Sequence, residues 1–416
     1  MKNLQRLAVG ALTTMLIGCG VQGQTQKDPL KGFRNPSEGF EIARQGMFFV
    51  NGEYYTSRVE KTTATCSTAP QPCEYMAGQM YVDYQIPRSV RHPYPIVMVH
   101  GAGQTGTNFL STPDDRPGWA QFFLANGYAV YVVDQTGRGR SVYTTEVYGP
   151  TRPPFDVEGR IQNWSLQQES KLFPNAHLHT QWPGTGKSRD PFFDQFYASQ
   201  VPSIQNFTLQ QELNRDAILA LLEKIGPSIL LTHSQSGAFG WPVADARPDL
   251  VKAILAVEPN GPPFFNVENV PAPDWFRDVA PQARAWGVTA DPLAYSPRAA
   301  KASELAIVQQ EKSDAPDLVR CWMQATPARM LPNLQKVPIL ILTAEASYHA
   351  PYDHCTVKFL EQAGVHPTWI KLADVGIRGN GHMMMLEKNN QEIGAFMSKW
   401  LDKVLPGAAK NPATVR

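Results

Sequence analysis

The run Ile229-Leu230-Leu231-Thr232-His233-Ser234-Gln235-Ser236-Gly237 constrains the fold of this chain more than any other stretch. A short apolar strand runs into small and polar residues and leaves through a glycine. That is the form of a nucleophile elbow, in which a strand turns sharply into a helix and holds a serine at the tip. The flanks of so tight a turn must be compact. They are usually glycine; here they are Thr232 and Ser236. A serine-rich strand-to-helix turn can also serve as an N-cap. Two serines compete for the tip. The apolar run stops at Leu231, so Ser234 falls just past the strand end, while Ser236 falls in the first helical turn. Ser234 is therefore the expected nucleophile.

The elbow sits within a chain that alternates strand and helix patterns. Asn51-Gly52 between Met47–Val50 and Tyr54-Tyr55 is a hairpin signal. Met80 to Ile86 alternates as a strand. Pro95 to His100 and Tyr128 to Val133 are continuous apolar runs, the mark of strands buried on both faces. Helices are expected at Trp119 to Ala125, Leu209 to Ile225, after Ser236, around Val357 to Gln362 and at Gln391 to Val404. Further strands are expected at Ala253 to Val257, Pro338 to Leu342 and Thr368 to Leu372. Such alternation predicts an α/β fold, a mostly parallel central sheet covered by helices on both faces. Residues 145–207 and 260–336 interrupt it; the first lacks periodicity and the second carries helical stretches such as Pro297 to Lys312. Both follow carboxyl ends of strands, where ligands bind in open α/β sheets, and are read as cap insertions. The core is then 39–144, 208–259 and 337–405, with a tail at 406–416.

The chain has 416 residues and a net charge of +1 without a basic or acidic run, which argues against nucleic-acid binding. The same balance suits a small neutral substrate. Lys2 and Arg6 precede the apolar stretch Leu7 to Ile17, too short to span a membrane and of signal-peptide length. It ends in Leu16-Ile17-Gly18-Cys19, which resembles the lipobox of bacterial lipoproteins. Residues 1–18 would be removed, Cys19 would carry the lipid anchor and residues 20–38 would be a tether. The expected location is the periplasm or outer membrane; cleavage after Gly23, giving a secreted protein, is the alternative. The other cysteines are four, an even number suited to disulfides in an exported chain. Cys66 and Cys73 enclose a loop-like segment that a local bridge could close, which leaves Cys321 with Cys355.

A serine hydroxyl needs a base to take its proton and a third group to orient that base. In elbow-type enzymes both follow the serine in the chain. His382, in Gly379-Asn380-Gly381-His382, lies between the last strand and the last helix in a loop flexible enough to reach back. Glu258 stands at the end of the strand one after the nucleophile and could orient His382. Glu345 and Asp353, after the next strand, compete for that role. The developing oxyanion needs two donors. The N–H of Gln235 is one. Ala102, in His100-Gly101-Ala102-Gly103, is expected to give the other, with Gly103 as the alternative. His177 with His179, and His349, Asp353 and His354, lack metal spacing and are read as loop residues, so no metal or other cofactor is expected. Trp182, Trp241, Trp275 and Trp286 are read as packing residues, with pocket lining as the alternative.

Together these residues resemble the α/β-hydrolase family over roughly residues 90–145, 208–260 and 335–405. Val133-Asp134-Gln135-Thr136-Gly137-Arg138-Gly139-Arg140-Ser141 is similar to the family's segment after its fourth strand. Many relatives carry their acid where this chain has Ser347. The Glu258 placement and the His-Ser-Gln-Ser-Gly elbow resemble more narrowly a group of exported bacterial esterases, the esterase 713-like group, whose acid is a Glu one strand after the serine. The resemblance implies hydrolysis of a carboxylic ester or lactone through an acyl-enzyme. An amide, thioester or C–C bond, or a binding lipoprotein on the same fold, are the alternatives.

Overall fold

Apolar residues alternate along the buried strands and feed two separate core layers, and this decides the architecture. The computed structural model describes residues 28–58, 66–67 and 72–406. The central sheet has eight strands: β1 (Ile42–Val50), β2 (Met80–Pro87), β3 (Ile96–Val99), β4 (Val130–Asp134), β5 (Ser228–His233), β6 (Val251–Val257), β7 (Ile339–Thr343) and β8 (Thr368–Lys371). Their order is β1-β2-β4-β3-β5-β6-β7-β8. β1 pairs antiparallel with β2 and β2 antiparallel with β4, and β3 through β8 run parallel. On β3, Val97 and Val99 enter one layer while Ile96 and Met98 enter the other; Leu230 against Ile229 and Leu231 repeats this on β5. The period of two in a strand produces the two layers.

Helices α2 (Phe207–Ile225), α3 (Gly237–Ala246) and α4 (Asp353–Gln362) cover the first layer, through Leu221, Phe239 and Phe359 among others. Helices α1 (Trp119–Ala125) and α5 (Asn390–Val404) cover the second, through Phe122, Trp400 and Leu401. α2 begins where the Asn206 side chain accepts from the Leu209 N–H, and it ends at Gly226 with a positive φ. Its buried positions 210, 211, 214, 217, 218, 221 and 222 form one stripe at helical spacing.

Three expectations are corrected. The chain does turn at Asn51-Gly52, but the strands on either side do not pair with each other. β1 pairs with β2, and Glu53–Thr56 pairs with Glu74–Ala77. The Asn51 amide donates to the Gly78 carbonyl, which joins two turns side by side. Pro297 to Lys312 is not helical; it holds a short 3-10 turn at Ala302–Glu304 and a strand at Ile307–Gln309. Its early carbonyls accept from the Arg329 guanidinium, and Ser296 bridges to Met330, so distant partners replace local helical bonds. Within the expected tether, residues 28–38 pack on the body: the Arg34 N–H reaches the Asn126 side chain and Phe33 meets Phe122.

Residues 145–207 form short helical turns, a helix at Pro191–Ala198 and a two-residue ribbon. Residues 260–336 carry two hairpins, Phe264–Asn269 with Phe276–Arg284 and Ile307–Gln309 with Trp322–Gln324. The second is tied to α4 by the Cys321–Cys355 disulfide. Cys66 and Cys73 are also bridged, so both expected pairings are present. The leader with Cys19 and Gly23 lies outside the described residues. No described helix is long and apolar enough to cross a membrane.

Candidate active site

The carboxyl ends of β3, β5, β6 and β8 converge on one place. β5 ends at His233, and Ser234 adopts φ +53°, an uncommon conformation for a residue with a side chain. The turn is fixed from both sides. Ser236 Oγ accepts from the His233 N–H at 2.8 Å and lies 2.7 Å from the Val99 carbonyl, and the Ser234 carbonyl accepts from the Asn260 N–H at 2.8 Å. Ser236 is fully buried and engaged with backbone, while Ser234 opens onto a cavity. Gly101 is required here: a Cβ on it would fall 2.9 Å from the His233 ring and 3.1 Å from Ser234 Cβ.

Glu258, at the end of β6, is fully buried and has φ +42°. Its Oε1 accepts from the Ala344 N–H at 2.8 Å; its Oε2 accepts from Ser347 Oγ at 2.7 Å and from His382 Nδ1 at 2.5 Å. A carboxylate only accepts, so the neutral ring carries its proton on Nδ1 and leaves Nε2 as a base. Nε2 has no hydrogen-bond partner among the described residues. Burial, helped by His233, His349 and Arg160, holds the His382 imidazolium well below its usual range. Burial and then Asp353 push Glu258 up, against the pull of its Ala344 and Ser347 donors.

The other candidate acids are occupied elsewhere. Asp353 accepts from Thr343 Oγ1 and His349 Nδ1, and Glu345 holds Arg378 and the Gly379 N–H. The loop carrying His382 is clamped by Glu387, which accepts from the Gly381 N–H, Asn380 and His179. His233 Nε2 donates to the His382 carbonyl at 3.1 Å, with the two rings 4.6 Å apart.

Ala102, Gln235 and Ser234 line a cavity of about 630 Å³. Beneath the Ala102 loop, buried Arg138 donates to the Gly101 carbonyl and to the Gln235 side chain, which in turn donates to Gln210. The cavity walls come mainly from residues 152–164, 203–208 and 260–283, with Tyr348 and Tyr352. Both interrupting segments therefore face the elbow.

Ligand atoms of Glu258, His349 and His382 lie within 4.8 Å of one another, as do those of Cys321, His354 and Cys355. In the first group Nδ1 of each histidine is bonded to a carboxylate; in the second both sulfurs are in a disulfide. His177 is exposed and bonded to the Pro174 carbonyl. None of Trp182, Trp241, Trp275 and Trp286 lines the cavity; Trp164 does. Ser347, Glu387 and Arg160 were not singled out from sequence as site residues. Glu387 stands five residues after His382, but Arg160 lies in a stretch without periodicity and gave no signal.

This sheet order, with a serine turn after β5 and a histidine loop after β8, defines a class, and the chain belongs to it: residues 96–395 match the alpha/beta hydrolase family. It is similar to "Probable secreted lipase phiG" of Fungal sp. (strain ATCC 74256), with 46% identity over 332 residues, 79% of this chain and 87% of that protein. A solved structure described as a novel bacterial esterase shares the fold, with a TM-score of 0.55 and 21% identity, over 89% of this chain and 98% of that one.

Proposed function

We propose that the protein is an exported serine hydrolase that cleaves carboxylic esters or lactones with a Ser234–His382–Glu258 triad. The observation that carries this reading is the 2.5 Å contact of His382 Nδ1 with a buried Glu258, on a loop beside the strained Ser234. His382 Nε2 takes the Ser234 proton as Oγ attacks the carbonyl carbon. The N–H groups of Gln235 and Ala102 receive the oxyanion. Collapse expels the alcohol, protonated by His382, and leaves an acyl-enzyme. Water, deprotonated by the same ring, releases the acid. A relative named a lipase, and a shared fold with an esterase, agree with ester cleavage. Export is supported by the paired cysteines and by the word "secreted" in the relative's name. The mass of the native N-terminus decides between acylated Cys19 and cleavage after Gly23.

Hydrolysis of graded alkyl and aryl esters by the wild type and by Ser234→Ala tests the chemistry. The expected result is turnover by the wild type and only residual activity in the variant. A wild type that cleaves amides or thioesters but no ester moves the reading to another bond. No turnover of any acyl compound supports a binding protein instead.

A further inference from the structure

Arg160 is 1% exposed, lies on the wall of the cavity that Ser234 opens onto, and has no carboxylate partner among the described residues. The ionisable groups around it include two tyrosines, Tyr348 and Tyr197, two arginines, Arg138 and Arg152, and His382, and no carboxylate is among them. Its guanidinium stacks on Trp164, 3.5 Å from the ring centroid, and makes one long contact, 3.5 Å, with the Ala102 carbonyl. Nε is buried without a partner. Gly103 makes room for it, since a Cβ there would collide with the guanidinium. Burial lowers Arg160 to about 9, so it stays charged at neutral pH.

Holding a charge out of water without a counter-ion is costly. Stacking on Trp164 offsets only part of that cost. The other fully buried arginines, Arg138 and Arg284, also lack a carboxylate, but each spends its guanidinium on two or more carbonyl or amide oxygens, whereas Arg160 makes only the one long contact. The other charges on the cavity wall do not supply the missing anion: Arg152 is a second cation, and Glu268 is paired with Arg277.

We infer that Arg160 is a carboxylate-recognition residue, and that the favoured ester carries a second, free carboxylate that docks on its guanidinium beside the Ala102 loop. The planar fork of arginine suits two parallel bonds to a carboxylate. This rests on the ester-hydrolase reading. It also replaces the expectation of a neutral substrate, because a net charge of +1 over the whole chain does not describe the cavity.

The test compares monoethyl succinate, glutarate and adipate with ethyl butanoate, pentanoate and hexanoate, measured as ethanol release. The wild type is expected to favour the acid-bearing ester in kcat/KM in at least one matched pair. Arg160→Gln should lower that preference roughly 30-fold or more, mainly through KM. A wild type that prefers the neutral ester in every pair overturns the inference. So does a variant that loses both substrates equally, which would mark Arg160 as support for Trp164 or the oxyanion loop. Arg160→Lys, which keeps the charge but not the fork, should fall between the two and serves if the glutamine variant does not fold. Calorimetry of glutarate with Ser234→Ala needs no turnover. Binding there that is weakened in Ser234→Ala/Arg160→Lys and lost in Ser234→Ala/Arg160→Gln supports the subsite even if no ester is cleaved, and absence of binding removes it.

Discussion

Replacing Glu258 by Gln changes one atom and tests whether this carboxylate sets the state of His382. Glu258 accepts three bonds, from Ala344 N–H, Ser347 Oγ and His382 Nδ1, and a carboxylate can accept all three. An amide cannot. With its oxygen toward Ala344, its NH₂ faces His382, so Nδ1 must accept and the ring proton moves to Nε2. That ring cannot take the Ser234 proton. With the amide reversed, its NH₂ opposes the Ala344 N–H and the anchor is lost. The matching acid-to-amide change in serine proteases lowers turnover about 10⁴-fold, roughly 5 kcal/mol in the barrier. A loss of that order is expected for Glu258→Gln, read as kcat on an aryl ester by a variant with wild-type circular dichroism. Asp353→Asn and Glu345→Gln, whose carboxylates are engaged by His349 and Arg378, should lose less than about tenfold by the same reasoning. Activity of Glu258→Gln within tenfold of wild type, or a larger loss in Asp353→Asn, would refute the assignment.

Ser236→Ala removes the hydroxyl that ties the elbow to β3 and should cost about 1–3 kcal/mol in a urea melt, while the folded enzyme keeps turning over. Burial raises Asp291 to about 6, against the pull of Arg215. The folded state therefore holds this proton after the unfolded chain has lost it, and stability falls as pH rises from about 4 to about 6. Asp291→Asn is expected to melt higher than wild type at pH 7.5, with the difference gone at pH 4; an unchanged melting temperature at pH 7.5 contradicts this. Thiol titration of the unfolded, unreduced exported protein should find no reactive Cys321 or Cys355, and their double replacement by Ser should cost about 2–4 kcal/mol.

Most of the parallel strands were legible because they are largely apolar runs, and a helix such as α2 because its buried positions recur at three and four residues. The hairpin at Asn51-Gly52 was misread because a turn signal fixes the turn and not the partner; β1 finds its partner some thirty residues later. Pro297 to Lys312 was misread because its backbone groups are satisfied by Arg329 and by the strand Trp322–Gln324, which local spacing does not report. In the proposed site, Ser234, Glu258 and His382 stand out in the sequence because each follows a recognisable strand. Ser347 was noted only as a missing acid, yet its hydroxyl is a donor to Glu258. Arg160 stayed invisible: its role depends on a loop fold that brings a charge to a cavity wall, and neither net charge nor periodicity carries that information.

The most direct test of the central claim is the site of covalent labelling by a fluorophosphonate, mapped by peptide mass spectrometry on the wild type and on His382→Ala. The account predicts one adduct, on Ser234, formed rapidly in the wild type and orders of magnitude more slowly without the histidine base. An adduct on Ser236, or labelling of Ser234 at an unchanged rate in His382→Ala, would contradict it.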